Sequence, residues 1–334
     1  MPRDGPWYHR PRMKIRTVFI PILLLAVISA YAADPSAFTI KKIGEGVYAA
    51  VSPDRSKAGS NAGFIVGSNG VLVVDTFVAA EPAKELLEQI HAVTSQPVRW
   101  VVNTHYHLDH TGGNQVFADA GATILAHRNV RGWVRTENLK FFGPSPKPEQ
   151  KAGVESLVQP NAVYTDAVDI YLGDRLVQVR FMPGHTGGDS VVIVPDASVI
   201  FGGDLVWQHH LPNLIDASTQ PWIQTLDHLL AEHPSATYVS GHGDIATPGD
   251  VRDFRNYLMT LRDAVAKAQK EGKSGKEVIE AVSAELKTKY GEWGFFSYFV
   301  QHNIEQTADE LTSKKKVPVP VADKESGVKG ATAH

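Results

Sequence analysis

Cysteine is absent from the 334 residues, and methionine occurs four times. Without thiols the chain has no disulfide framework, no cysteine nucleophile and no soft thiolate ligand. A metal shell here must come from His, Asp and Glu, a donor set that suits Zn, Fe or Mn, and an exported form must hold its fold by packing and metal. Charge of one sign is not in excess either, since 33 Lys plus Arg against 36 Asp plus Glu leaves a formal net charge of -3. There is also no apolar run long enough to cross a bilayer. The longest candidate, Val18 to Ala30, contains Pro21 and falls short of the roughly 20 residues a span needs.

That run follows Arg3, Arg10, Arg12, Lys14 and Arg16 and precedes the small-x-small sequence Ala30-Tyr31-Ala32. The order is that of a secretory signal peptide over 1–32, with a secreted or periplasmic destination and no stable membrane insertion after cleavage. Met13 begins a more ordinary leader than Met1, so either is a candidate start. Cleavage near Ala32 removes those basic residues and Asp4, which takes the formal charge to about -7. An acidic mature chain is a poor partner for nucleic acid, and a small-molecule substrate is expected instead.

With 43% hydrophobic residues the remainder can bury a large core. Phe38 to Thr76 alternates strand-like runs with turns, including Asn69-Gly70 as a hairpin signal, and reads as an antiparallel meander ending at Asp75. Helical spacing covers 80–93, and a strand at 98–102 leads into a histidine cluster. A short helix at 113–120, a strand at 123–126 and a helix at 129–139 follow. Residues 141–160 hold Pro144, Pro146, Pro148 and Pro160 and read as a loop, either an active-site lid or a surface insertion. Strands return at 167–172, 176–181, 190–194, 198–201 and 237–240. Helices are expected at 219–232, 248–271, 276–289 with Ser274 as a cap, and 297–311, before a disordered tail at 313–334. The organisation predicted is one domain over 33–312 of class α+β, with helices outside stacked sheets.

The chemistry concentrates in Val102-Asn-Thr-His-Tyr-His-Leu-Asp-His-Thr-Gly-Gly113. His105 and His107 face one way in an extended segment, while Asp109 and His110 lie where the chain turns. Three later strands end in a glycine and a possible ligand: Gly184-His185, Gly203-Asp204 and Gly241-His242. The donors divide into His105, His107 and His185 for one ion and Asp109, His110 and His242 for a second, with Asp204 bridging. Two divalent ions so held lower the pKa of a shared water, and the resulting hydroxide attacks a carbonyl. Asp109 both ligates and orients the nucleophile's proton, which makes it the candidate catalytic residue.

These motifs resemble those of the metallo-β-lactamase superfamily over about Phe38 to Thr247, in the family's order and with every ligand position filled. The resemblance implies a four-layer αβ/βα sandwich and a dinuclear centre, two Zn2+ with Fe or Mn as alternatives, that hydrolyses a β-lactam, lactone, ester or thioester. Asp204 is similar to the bridging acid of glyoxalase II and lactonase branches, but the carboxy-terminal region lacks an Arg/Lys pattern for glutathione. Two other readings stand beside it: a mononuclear iron oxygenase of the persulfide dioxygenase type, using positions like His105, His185 and Asp204, and a non-catalytic periplasmic metal-binding accessory protein. Intact Asp109 argues against the last.

Other residues receive weaker assignments. Asp75 is expected to orient a ligand histidine. Trp207, His209 and His210 are pocket candidates that packing or solvent exposure explains as well. His127, His228 and His233 read as structural or exposed. Gly59 to Gly63, around Asn61, reads as a flexible connection near the mouth. Phe295, Phe296, Tyr298 and Phe299 read as packing for the last helix. Oligomeric state is left open.

Overall fold

The computed structural model describes residues 36–320, so the expected leader and the residues from 321 onward lie outside the described part. Two sheets form its centre. The first has seven strands in sequence order: β1 (Thr39–Gly44), β2 (Val47–Val51), β3 (Ala62–Val66), β4 (Val71–Val74), β5 (Val98–Val102), β6 (Thr123–His127) and β7 (Ala162–Tyr164). The second runs β13-β12-β11-β10-β9-β8, from β8 (Ala167–Leu172), β9 (Arg175–Phe181), β10 (Ser190–Val194), β11 (Val199–Trp207), β12 (Thr237–His242) and β13 (Ile245–Ala246). β1 to β4 pair antiparallel, as the meander reading expects, and β4 to β7 pair parallel.

Both faces of each sheet are covered, which explains why β4 and β10 are continuous apolar runs. In β4, Leu72 and Val74 enter the core between the sheets, whereas Val71 and Val73 face α1 (Ala80–Val93). In β10, Val192 and Val194 face the inter-sheet core, and Val191 and Ile193 pack toward the outer helices. Three short helices follow β5 and β6: α2 (Leu108–Thr111), α3 (Asn114–Asp119) and α4 (Arg128–Thr136). The second sheet is covered by α6 (Thr219–Glu232), α7 (Pro248–Lys270), α8 (Lys276–Tyr290) and α9 (Phe296–Leu311), so the layers are helix, sheet, sheet, helix. This is the expected four-layer sandwich.

Three local readings are corrected. Residues 141–160 are not structureless, because a 3-10 turn covers Asn138–Phe142 and α5 covers Pro148–Glu155, with Pro148 at a first-turn position where a missing N–H costs nothing. β11 does not stop at Phe201. It runs on through a bulge at Gly203, whose φ of +50 sets Asp204 inside the strand. Ser274 does not cap α8 with its side chain, Gly275 being the capping position. The described part of the tail is held against the body: Lys315 Nζ donates to the Leu214 and Ala217 carbonyls at 2.6 Å, and Trp133 Nε1 donates to the Val319 carbonyl at 3.0 Å.

The Asn61 segment is a buried tie between the sheets. Asn61 Nδ2 donates to the Ser240 and Gly243 carbonyls at 2.9 Å each, its Oδ1 accepts from Ser52 N at 2.8 Å, and its own N–H reaches the Gly241 carbonyl at 2.7 Å. β12 is thereby fixed beside the first sheet immediately before His242. Asn61→Ala strands a buried Ser52 N–H and two carbonyls, so chemical denaturation is expected to show a loss of about 2–3 kcal/mol, and an unchanged midpoint would remove this tie from the account.

Candidate metal centre

The two sheets bring the candidate donors together at one edge. Asp75 follows β4, residues 103–110 follow β5, His185 lies in the loop after β9, Asp204 is in β11 and His242 ends β12. All seven predicted donors converge in two groups: His105, His107, His185 and Asp204, and Asp109, His110 and His242. Within each group the possible ligand atoms lie within 4.8 Å of one another.

Asp204 connects the groups. Its Oδ2 lies 3.2 Å from His185 Nε2 and 3.9 Å from His105 Nε2, while its Oδ1 lies 3.1 Å from His110 Nε2 and 3.5 Å from His242 Nε2. One carboxylate oxygen therefore serves each group. Two glycines make this possible. A Cβ at Gly203 would sit 2.4 Å from Thr104 Oγ1, and one at Gly241 would sit 1.9 Å from Asp204 Oδ1.

Hydrogen bonds behind the site decide which imidazole nitrogen faces inward. Asp75 Oδ1 accepts from Thr104 N at 2.8 Å, and its Oδ2 accepts from Thr104 Oγ1 at 2.7 Å and from His110 Nδ1 at 2.8 Å. With the Thr104 proton so used, His105 Nδ1 donates to Thr104 Oγ1 at 3.1 Å. His105 Nε2 is then left with its lone pair turned toward the centre, and His110 Nε2 offers one there once its proton is lost. Asp75 has the orienting position that its place after β4 implies, and it serves two histidines.

His107 is turned the other way round. Its Nδ1 lies 3.0 Å from His185 Nε2 on the inner side, and its Nε2 donates to Asp216 Oδ2 at 3.2 Å. Asp216 also accepts from the Tyr106 hydroxyl and, on Oδ1, from Lys140 Nζ at 2.6 Å. Sequence reasoning missed Asp216, which is 109 residues from the histidine it holds.

Three of these atoms test whether a cation fits. His105 Nε2 is buried and makes no hydrogen bond, and His110 Nε2 and Asp204 Oδ1, buried 3.1 Å apart, have one shared proton at most between them. Unpartnered buried donors of this kind are costly unless a cation takes them. Three imidazoles with one carboxylate, and two imidazoles with another, are donors that bind divalent transition ions. The residues present fit such ions.

Electrostatics separate the two groups. Burial holds His105 well below the usual imidazole range and takes His185 down to about 3, so both are neutral donors at physiological pH. Burial opposes ionisation of Asp204, but His242, His110 and His185 outweigh it and hold the carboxyl well below its ordinary value. Asp109 falls to about 2 against the same burial, through His110 and His242. Those carboxylates raise His110 well above its normal value and His242 to about 9, although burial alone would lower both.

Among the other candidates, Trp207 belongs to the site, its indole stacked on His242 at 4.2 Å between ring centroids. His209 and His210 face away and pair with Asp250 at 3.3 Å and Asp54 at 2.8 Å. His127 is buried against Phe181, His228 pairs with Glu232 at 3.1 Å, and neither is near the donors.

The family profile described as the metallo-beta-lactamase superfamily matches residues 56–242, more than half of the chain and all seven donors. The chain belongs to the metallo-beta-lactamase superfamily. With that membership comes the metallo-hydrolase class at superfamily level. A metallo-beta-lactamase type 2 from Bacteroides fragilis is 26% identical over 252 residues, covering 69% of this chain and 90% of that protein. An acyl-coenzyme A thioesterase from Bos taurus is 27% identical over 170 residues, covering 46% of this chain and 60% of the relative. Among solved structures, a metallo-beta-lactamase from Pontibacter korlensis superposes with a TM-score of 0.54 at 23% identity, covering 66% of this chain and 99% of that one. This last likeness concerns the fold alone.

Two outcomes follow for this superfamily member. In the metal-free protein His110 and His242 carry protons at neutral pH, so cation uptake must displace them. Apparent metal affinity is expected to rise with pH until His242 is neutral near 9, with proton release in weakly buffered calorimetry, and a flat profile below that pH would contradict the assignment. Asp216→Ala removes the acceptor that fixes the His107 tautomer, and chelator competition should show one site weakened by about 10- to 100-fold. Equal affinities in wild type and variant would leave Asp216 without this role.

Proposed function

We propose that the protein is an exported two-zinc hydrolase that cleaves a carbonyl substrate: a β-lactam, lactone, ester or thioester. The observation that carries the reading is Asp204, which offers one oxygen to each of two complete donor groups. A single-ion oxygenase needs only the first group and gives no reason for Asp109, His110 and His242 to converge. The relatives named as a β-lactamase and a thioesterase support carbonyl hydrolysis. The basic and then apolar order of residues 3–32 supports export to the periplasm or beyond.

Divalent ions, when bound, supply Lewis acidity and bring a water's pKa toward neutrality. The rest is done by the chain. His105 and His185 remain neutral donors because burial disfavours their cations. Asp204 is 4% exposed, at the bottom of the cleft, whereas Asp109 is 29% exposed and faces into it. Asp109 is thus the carboxylate able to meet the attacking water and hold its proton. Hydrolysis adds the water oxygen to the carbonyl carbon and breaks the bond to the leaving amine, alcohol or thiol, which takes up a proton.

Elemental analysis of purified protein is expected to find close to two zinc ions per chain, and a single iron would sink the reading in favour of the oxygenase. On a panel of β-lactams, lactones, esters and thioesters, Asp109→Asn should lower kcat/KM by about a hundredfold or more. Full activity in that variant would take Asp109 out of the mechanism.

A further inference from the structure

A cleft of about 560 Å³ opens over both donor groups, with His107, Asp109, Asp204 and His242 on its floor. Aromatic rings flank it on two sides. Beside the first group, the Phe141 ring stands perpendicular to His107 at 5.0 Å between centroids. Beside the second, Trp207 stacks on His242, and Phe295 lies 6.0 Å from the same imidazole. Phe296, Tyr298 and Phe299 continue this wall outward. Phe295, Phe296 and Phe299 pack against the core as the sequence reading expects, and they line the cleft as well.

The wall is both open and fixed. Phe141 is 40% exposed and Tyr298 77% exposed, which leaves aromatic surface in water beside a polar centre. Phe295 has a left-handed backbone with φ +59, unusual for a bulky side chain. Two bonds at Gly294 hold the start of the segment in place, with Gly294 N–H donating to the His209 carbonyl at 2.8 Å and Leu211 N–H to the Gly294 carbonyl at 2.9 Å. Charge is sparse. Among the described residues Arg55 is the one Lys or Arg lining the cleft, it is exposed, and it makes no ion pair. Residues 295–299 also lie beyond the family match, which ends at 242.

We infer that the substrate carries aromatic or branched apolar groups on both sides of the scissile carbonyl and a single carboxylate directed to Arg55. The inference rests on the hydrolytic reading of the same centre. A group on either side of the carbonyl meets a ring, and one anion meets one guanidinium. A coenzyme A thioester brings several phosphate charges to a cleft whose lining has one Lys or Arg side chain, so this substrate class excludes it.

Binding tests the class independently of turnover. N-phenylacetyl-phenylalanine has rings on both sides of an amide carbonyl and one carboxylate. Calorimetric titration of the metal-loaded protein should show it bound about tenfold or more tightly than N-acetylglycine, its neutral methylamide or phenylacetyl-coenzyme A. Tyr298→Ser and Phe296→Ala should each weaken it several-fold without changing metal content or N-acetylglycine binding. Arg55→Ala should erase the preference over the methylamide. Equal binding of N-acetylglycine, or tightest binding of the coenzyme A thioester, would overturn the inference. Because Tyr298 is solvent-facing, its variant tests the wall even if Phe296→Ala fails to fold. If the binding preference holds but the matching aryl esters, thioesters and lactams are not hydrolysed, the hydrolytic reading fails and the binding class stands.

Discussion

Asp204 is a buried carboxylate whose two oxygens face different sets of histidines, and the structure is organised around satisfying it. Burying an unpaired carboxylate is prohibitive, so imidazole partners must come to it from both sides. They arrive from the first sheet as His105 and His110 and from the second as His185 and His242. The bulge in β11 aims the side chain, and the missing side chain at Gly241 leaves it room. Asn61 and Asp75 then fix the pieces on either side, one through the β12 backbone and one through the imidazoles.

The histidine protonation pattern adds a second constraint. Without cations, protons on His110 and His242 neutralise Asp109 and Asp204, so the polar centre can close without collapsing. His105 and His185 stay neutral because the nearby Asp204 does not repay the cost of desolvating an imidazolium. The two donor groups differ for this reason despite similar residues: one is close to its loaded protonation state, and the other must exchange protons for metal.

Much of this was legible from residue order because the signals are local. α1 falls on the predicted residues 80–93, and β5 on 98–102, since their apolar spacing matches one period each. The run from His105 to His110 is visible because its donors are neighbours in sequence. Asp216 has no such signal: it lies in a loop far from His107, and only the tertiary fold joins them. The prolines between 144 and 160 masked α5, because Pro148 reads as a breaker whether it starts a helix or ends one. Gly202-Gly203 looked like the end of a strand when it marks a bulge within one. Phe295 to Phe299 have the composition of a core helix, and which rings face a cleft depends on the tertiary ties of Gly294 to His209 and Leu211 rather than on spacing.

The pinning of Gly294 to the segment after β11 divides labour along the chain. Every donor of the centre is in place by His242, while the rings that line the far wall come more than fifty residues later. Changes accumulating in the last helices can therefore retune what the cleft accepts without disturbing the atoms that hold the ions. Selectivity and reactivity in this molecule are open to separate histories.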